Sequence, residues 1–226
     1  MIQGLLFDMD GLLLDTEAIT RDAFLEACDA LDLRTDEAFD AHALFLSLVG
    51  TSEAQTRRRL ASGLPDAVDL PTFGEVWIAR LGDRMAEGIP LRPTVETTLA
   101  NLFDRGVPMA VVTSSRTEHA REALAATDLL RHFRAVIGGD IVSANKPDPA
   151  PYRMSAAALD LDPSSCAAFE DSDVGTRSAI AAGCHVWQIP DLRPHDLPVP
   201  QIGQRIATTL AEAVAEAGFE RRVKLL

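Results

Sequence analysis

Three short segments place acids or hydroxyls directly after apolar runs, and a chemical reading of the chain begins there. Phe7-Asp8-Met9-Asp10-Gly11 follows one run, Val112-Thr113-Ser114-Ser115 a second, and Phe169-Glu170-Asp171-Ser172 a third. Carboxylates crowded into one small volume repel one another strongly unless a cation neutralises them. Oxygen donors without histidine or cysteine suit a hard ion, and magnesium takes a few carboxylates together with waters and phosphate oxygens. A hydroxyl with adjacent backbone N–H groups at Thr113–Ser115, where a helix begins, supplies an anion pocket. Lys146, in Asn145-Lys146-Pro147-Asp148-Pro149, adds a positive point charge. Apart from Lys146 and Lys224, every member of the Lys+Arg set is arginine. A compact ammonium on a thin stem, where the chain otherwise uses the rigid guanidinium fork, points to a specific task at 146. Carboxylates, magnesium, backbone amides and a lysine together are what phosphoryl transfer needs, because positioning and charge neutralisation dominate that chemistry.

The elements that must position these groups follow from hydrophobic patterning. Short apolar runs at Ile2–Phe7, Met109–Val112, Ala135–Ile137, Cys166–Phe169 and His185–Ile189 predict buried parallel strands. Helical patterns lie between them at Val95–Arg105, Glu118–Ala126, Tyr152–Leu159 and Val174–Ala182. This alternation predicts an α/β fold, a doubly wound parallel sheet covered on both faces. Right-handed crossovers then bring the carboxyl ends of the strands to one rim, where ligands bind in such sheets. From about Asp15 to Gly88 the rhythm stops. Helical patterns near Thr16–Leu31, Asp36–Leu48, Ser52–Ser62 and Phe73–Ala86 predict an all-helical insert. The predicted organisation is a catalytic core of residues 1–14 and 89–226 with a helical lid at 15–88. A proline-rich stretch leads to a last predicted helix near Ile206–Ala217.

Composition narrows the classes. At 226 residues, 47% hydrophobic and 24% charged, the chain has the make-up of a packed globular protein. A net charge of -13 argues against nucleic acid and anionic membranes as partners. It also means that a phosphate site must be made locally positive. No apolar run approaches the length of a membrane span. Cys28, Cys166 and Cys184 form no paired spacing, which argues against zinc and a disulfide framework and for a reducing, cytoplasmic setting. A monomer is expected.

Asp8-Met9-Asp10-Gly11, Thr113-Ser114, Lys146-Pro147 and Glu170-Asp171-Ser172 resemble, in the same order, the four motifs of the haloacid dehalogenase superfamily of phosphatases. Within it, the stretch from Phe7 through Asp15-Thr16-Glu17 and the segment Glu170-Asp171-Ser172-Asp173-Val174-Gly175 resemble the beta-phosphoglucomutase-like and sugar-phosphatase group. The resemblance implies a magnesium-dependent phosphoric monoester hydrolase acting on a small phosphorylated metabolite. It implies Asp8 as the nucleophile and Asp10 as the general acid and then base. Metal ligands would be Asp8, the Asp10 carbonyl and Asp171, with Glu170 a further candidate. Thr113 and the Ser114 amide would hold the phosphoryl group, and Lys146 would steady both it and Asp8.

Departures from the family pattern refine this. Asp10 is present, whereas the dehalogenases lack that second aspartate. The interval 15–88 has no lysine of the kind phosphonate-cleaving members use. The mutase's lid histidine and lysine align with Thr20 and Val49, so hydrolysis is expected over a phosphomutase activity. A receiver-like phosphoacceptor switch, from a different class, also gathers acids, hydroxyls and a lysine, but has neither Asp10 nor a lid. Plainer roles are also expected. Ser115 with Glu118 reads as a capping box, Asp148 and Asp173 as turn or cap carboxylates, and Arg57-Arg58-Arg59 as a solvated helix face. Asp15 and Glu17 either touch the substrate or favour a helix dipole.

Overall fold

A computed structural model describes residues 1–35, 38–49, 53–192 and 198–219. It divides into two compact units, one of residues 1–15, 90–191 and 199–226, the other of 16–89 and 192–198.

The first unit is built on a parallel sheet. Strand β1 is Gly4–Phe7, β2 Met109–Val112, β3 Ala135–Ile137, β4 Cys166–Glu170, β5 His185–Gln188 and β6 Arg205–Ile206. Their order is β3-β2-β1-β4-β5-β6, every pair parallel. β1, β2 and β4 are buried at every position. That explains their unbroken apolar runs, because helices cover both faces of such a sheet. The covering helices are α5 (Val95–Asp104), α6 (Thr117–Ala126), α7 (Ala150–Ala158), α8 (Asp173–Ala182) and α9 (Leu210–Glu216). One packed cluster joins Leu6, Val112 and Ala168 of the sheet to Tyr152 and Ala156 of α7 and Ala179 of α8.

The sheet has one more strand than the sequence predicts. Arg205 and Ile206 pair with Trp187 and Gln188 at its edge. Two exposed residues, one charged, carry no periodicity to read. Ile206 therefore belongs to a strand rather than to the start of the last helix. That helix begins at Leu210, where the Thr209 hydroxyl accepts the Glu212 N–H at 3.2 Å and Glu212 accepts the Thr208 N–H at 2.8 Å.

The second unit is helical, with α1 (Thr16–Ala30), α2 (Ala41–Leu48), α3 (Glu53–Gly63) and α4 (Leu70–Glu87). Phe24, Phe45 and Phe73 form its core, and Trp77 packs edge-on against Phe24. α4 starts three residues before the predicted Phe73, because Asp69 caps it by accepting the Thr72 N–H at 3.1 Å. α2 starts at Ala41, capped by Asp40, rather than at Asp36; residue 36 and the predicted start of α3 at Ser52 lie outside the described residues. No helix among the described residues is long and apolar enough to cross a membrane.

Candidate active site

The order of connections reverses between β1 and β4, which makes the crevice beyond their carboxyl ends the expected ligand site. Backbone pairing continues one residue past the strands there. The Asp8 N–H donates to Phe169 O at 3.0 Å, and the Thr113 N–H to Ile137 O at 3.0 Å. Each strand thus hands its first polar residue to the rim on a fixed backbone.

Lys146 lies at the centre of what gathers there, with only 5% of its side chain exposed. A buried ammonium is stable only when its charge and its three N–H groups are met. Its Nζ donates to Asp8 Oδ1 at 2.5 Å, to Glu170 Oε1 at 2.6 Å and to Val112 O at 3.0 Å. Burial pulls the lysine's pKa down, but Asp8 and Glu170 outweigh it and hold Lys146 above its ordinary value, as a cation. Glu170 is fully buried and satisfied from several sides. Tyr152 Oη donates to its Oε1 at 2.6 Å, while the Ser172 hydroxyl and N–H donate to its Oε2 at 3.0 and 3.4 Å.

Asp8, Glu170 and Asp171 each offer a carboxylate oxygen, all within 4.8 Å of one another. Burial, opposed by Lys146 but aided by Glu170 and Asp10, pushes Asp8 up to about 8. Burial, then Asp8 and Glu170, raise Asp171 well above the carboxylate range. One lysine against three clustered acids leaves negative charge that a divalent ion would neutralise, and a donor set of oxygen alone fits magnesium. Gly11 preserves the space: at φ +82° it adopts a conformation that favours glycine, and a Cβ there would stand 2.6 Å from Asp171 Oδ2.

Asp10 turns to the second motif. Ser115 Oγ donates to Asp10 Oδ2 at 2.9 Å, Thr113 Oγ1 reaches the same oxygen at 3.4 Å, and the Ser115 N–H donates to Thr113 Oγ1 at 3.0 Å. The expected capping box of Ser115 and Glu118 does not form. α6 begins at Thr117, after an N-cap Arg116 whose side chain makes no capping bond, and Asp140 takes both the Thr117 N–H and its hydroxyl at 2.7 Å. Thr113–Ser115 is therefore a loop ahead of the helix rather than its first turn. Thr113 is buried and Ser114 is exposed.

The structure thus brings Asp8, Lys146, Glu170 and Asp171 into one cluster, with Asp10 linked to Thr113. Tyr152, Ser115 and Ser172 also belong, and the sequence reading gave none of them such a role. Tyr152 is the chain's one tyrosine and lies one helical turn and a short loop after Lys146, the signal that could have marked it. Gln188, at the end of β5, is a further support: its Nε2 donates to Asp171 O at 3.2 Å and to Asp173 Oδ1 at 2.9 Å. Asp148 accepts the Ala150 N–H at 2.8 Å, the turn role expected of it. Asp15 pairs with Arg92 at 3.5 Å, and Arg92 also meets Asp191 at 2.8 Å. Arg57, Arg58 and Arg59 are all exposed, as a solvated face requires.

A family model described as haloacid dehalogenase-like hydrolase matches residues 5–189. The chain is 30% identical over 203 residues to a phosphoglycolate phosphatase of Escherichia coli K12, covering 81% of this chain and 79% of that one. It is 29% identical over 180 residues to the fructose-1-phosphate phosphatase YqaB of the same organism, covering 80% and 92%. The crystal structure of CbbY from Rhodobacter sphaeroides in complex with phosphate superposes with a TM-score of 0.67 at 29% identity, covering 94% of this chain and 96% of that one. The rim of acids around Lys146 and the match across four-fifths of the sequence lead to one conclusion: this chain is a member of the haloacid dehalogenase-like hydrolases.

Proposed function

We propose that the chain is a phosphatase that hydrolyses a small phosphate monoester, a sugar or polyol phosphate, through an aspartyl-phosphate on Asp8. The observation that carries the reading is the buried Lys146, whose ammonium is shared between Asp8 and Glu170 inside a set of carboxylates suited to magnesium. Such a lysine holds one oxygen of Asp8 and leaves the other to act as nucleophile.

Asp8, Asp171 and the Asp10 carbonyl would hold the metal. A bound magnesium would supply charge neutralisation for the phosphoryl oxygens. Glu170, with donors on both of its oxygens, would hold Lys146 and remains the further candidate ligand beside Asp8 and Asp171. Thr113 and the Ser114 amide would receive the phosphoryl group. An Asp8 oxygen forms a bond to phosphorus as the bond to the substrate's alcohol oxygen breaks, and Asp10 gives that oxygen a proton. Asp10 then takes a proton from a water that attacks the same phosphorus, freeing inorganic phosphate and restoring Asp8. The helical unit, Thr16–Ile89, is proposed as the lid that selects the substrate. The free thiols support a cytoplasmic setting.

The test is phosphate release from a panel of phosphorylated metabolites in magnesium, for the natural chain and for Asp8→Asn. Many phosphates released per chain, abolished in Asp8→Asn, is the expected result. Isomerisation without net release would establish a mutase, and a single labelling without turnover would establish a phosphoacceptor switch. Full activity in Asp8→Asn would remove the nucleophile.

A further inference from the structure

We infer that Ser115 is a positioning residue for Asp10: its hydroxyl fixes one carboxylate oxygen so that the other is presented to the leaving group. The inference rests on the proposed role of Asp10 as the acid.

The geometry that carries it is a closed ring. Ser115 Oγ donates to Asp10 Oδ2 at 2.9 Å, Thr113 Oγ1 approaches that same oxygen at 3.4 Å, and the Ser115 N–H donates to Thr113 Oγ1 at 3.0 Å. Two hydroxyls from one loop therefore converge on Oδ2. Side-chain hydroxyls carry one proton each, so a phosphoryl oxygen arriving at Thr113 competes for that residue's proton. The Ser115 hydroxyl makes the shorter of the two contacts to Oδ2. It is the donor that stays with Asp10 when Thr113 turns to the substrate.

Ser115 is also spared the duty its sequence position suggests. Serine ahead of a helix ordinarily spends its oxygen on the helix N-terminus. Here Asp140, on the loop after β3, caps α6 through Thr117, so the Ser115 side chain is available to Asp10. The Ser115 carbonyl accepts the Gly139 N–H at 2.9 Å, and Gly139 leaves no room for a side chain, since a Cβ there would lie 2.5 Å from Ser114 O. The loop that carries Ser115 is thus clamped from behind by backbone, and a clamped donor orients its acceptor.

General acid assistance matters in proportion to how poor the leaving group is. Compare kcat/KM for an alkyl phosphate and for para-nitrophenyl phosphate, whose leaving phenolate needs little protonation, in the natural chain, Ser115→Ala, Ser115→Thr and Asp10→Asn. In Ser115→Ala the expected loss is at least about tenfold greater for the alkyl than for the aryl ester, carried by kcat rather than KM. Ser115→Thr, which keeps the hydroxyl, recovers most of it. Equal losses on both esters, or a loss confined to KM, would show that Ser115 only shapes the loop and would overturn the inference while leaving Asp10 its role. Absence of the leaving-group signature in Asp10→Asn would instead overturn the underlying reading of Asp10, and the inference with it.

Discussion

Tyr152 and Lys146 share a single oxygen of Glu170, each at 2.6 Å. The carboxylate therefore stands between a phenol from α7 and the ammonium that also grips Asp8. A tyrosine from a covering helix is in this way coupled to Asp8 through Glu170 and Lys146. Burial, with Glu170 and Asp8 nearby, raises the Tyr152 hydroxyl well above its ordinary pKa, so it remains a proton donor.

Replacing Tyr152 by Phe keeps the ring's packing and removes that donor. A hydrogen bond to a charged group contributes about 1.5–3 kcal/mol, so the variant should unfold at lower urea with a loss of about 2 kcal/mol. Glu170 then draws Lys146 away from Asp8, and kcat should fall about tenfold, the equivalent of about 1.4 kcal/mol in the barrier. Unchanged kcat with reduced stability would show that the phenol serves packing alone.

Gly175, in the first turn of α8, offers a second probe. A Cβ on it would overlap the Glu170 carboxylate. In an open helix Gly→Ala is favourable by about 0.5–1 kcal/mol. Here the carboxylate is fixed by Lys146, Tyr152 and Ser172 and has nowhere to go. Gly175→Ala should therefore destabilise, by about 1–3 kcal/mol as overpacking does, and reduce activity at the same time. A stabilised variant in urea titration would mean that Glu170 is free to move.

The buried acids make stability depend on pH. Without a divalent ion, Asp8 titrates at about 8 rather than 3.8 in the folded chain, and Asp171 is raised as well. Below about 4 both states hold these protons and the contribution is flat. Between about 4 and about 8 the unfolded chain has lost them and the folded chain keeps them, so stability falls as pH rises. A divalent ion favours the ionised acids and adds stability by binding the folded state. In EDTA, Tm should therefore drop across this window, and the Tm increment from added magnesium should grow across it. A magnesium increment that is constant with pH would contradict this account.

The parts of the fold legible in the sequence are those with repeated signals. The runs at Leu5-Leu6-Phe7 and Ala167-Ala168-Phe169 are buried on both faces, and both read as buried strands. Short edge elements such as Arg205–Ile206 follow tertiary pairing and carry no local pattern. The same division holds for the site. Asp8, Glu170 and Asp171 are legible because charge after an apolar run is costly unless used, and Lys146 because lysine is otherwise almost absent from the chain. Ser115 reads as a helix cap because capping is a local rule. Its true partner, Asp10, follows the neighbouring strand β1, and the residue that takes over the capping, Asp140, comes from another loop. Tyr152 opens a helical pattern in the sequence, and only the three-dimensional packing turns its hydroxyl toward Glu170.

The central strand β1 finds both of its neighbours late. Leu5 pairs with Met109 on one side and with Ala167 on the other. On a growing chain, Leu5-Leu6-Phe7 thus leave the ribosome long before either partner strand has been made. Pairings so distant in sequence close slowly and leave apolar segments open to aggregation meanwhile. The residues of α1 to α4, which meet one another at short range, are synthesised in that interval. The strand that carries Asp8 to the rim is accordingly paired only after the residues of α1 to α4 have been made.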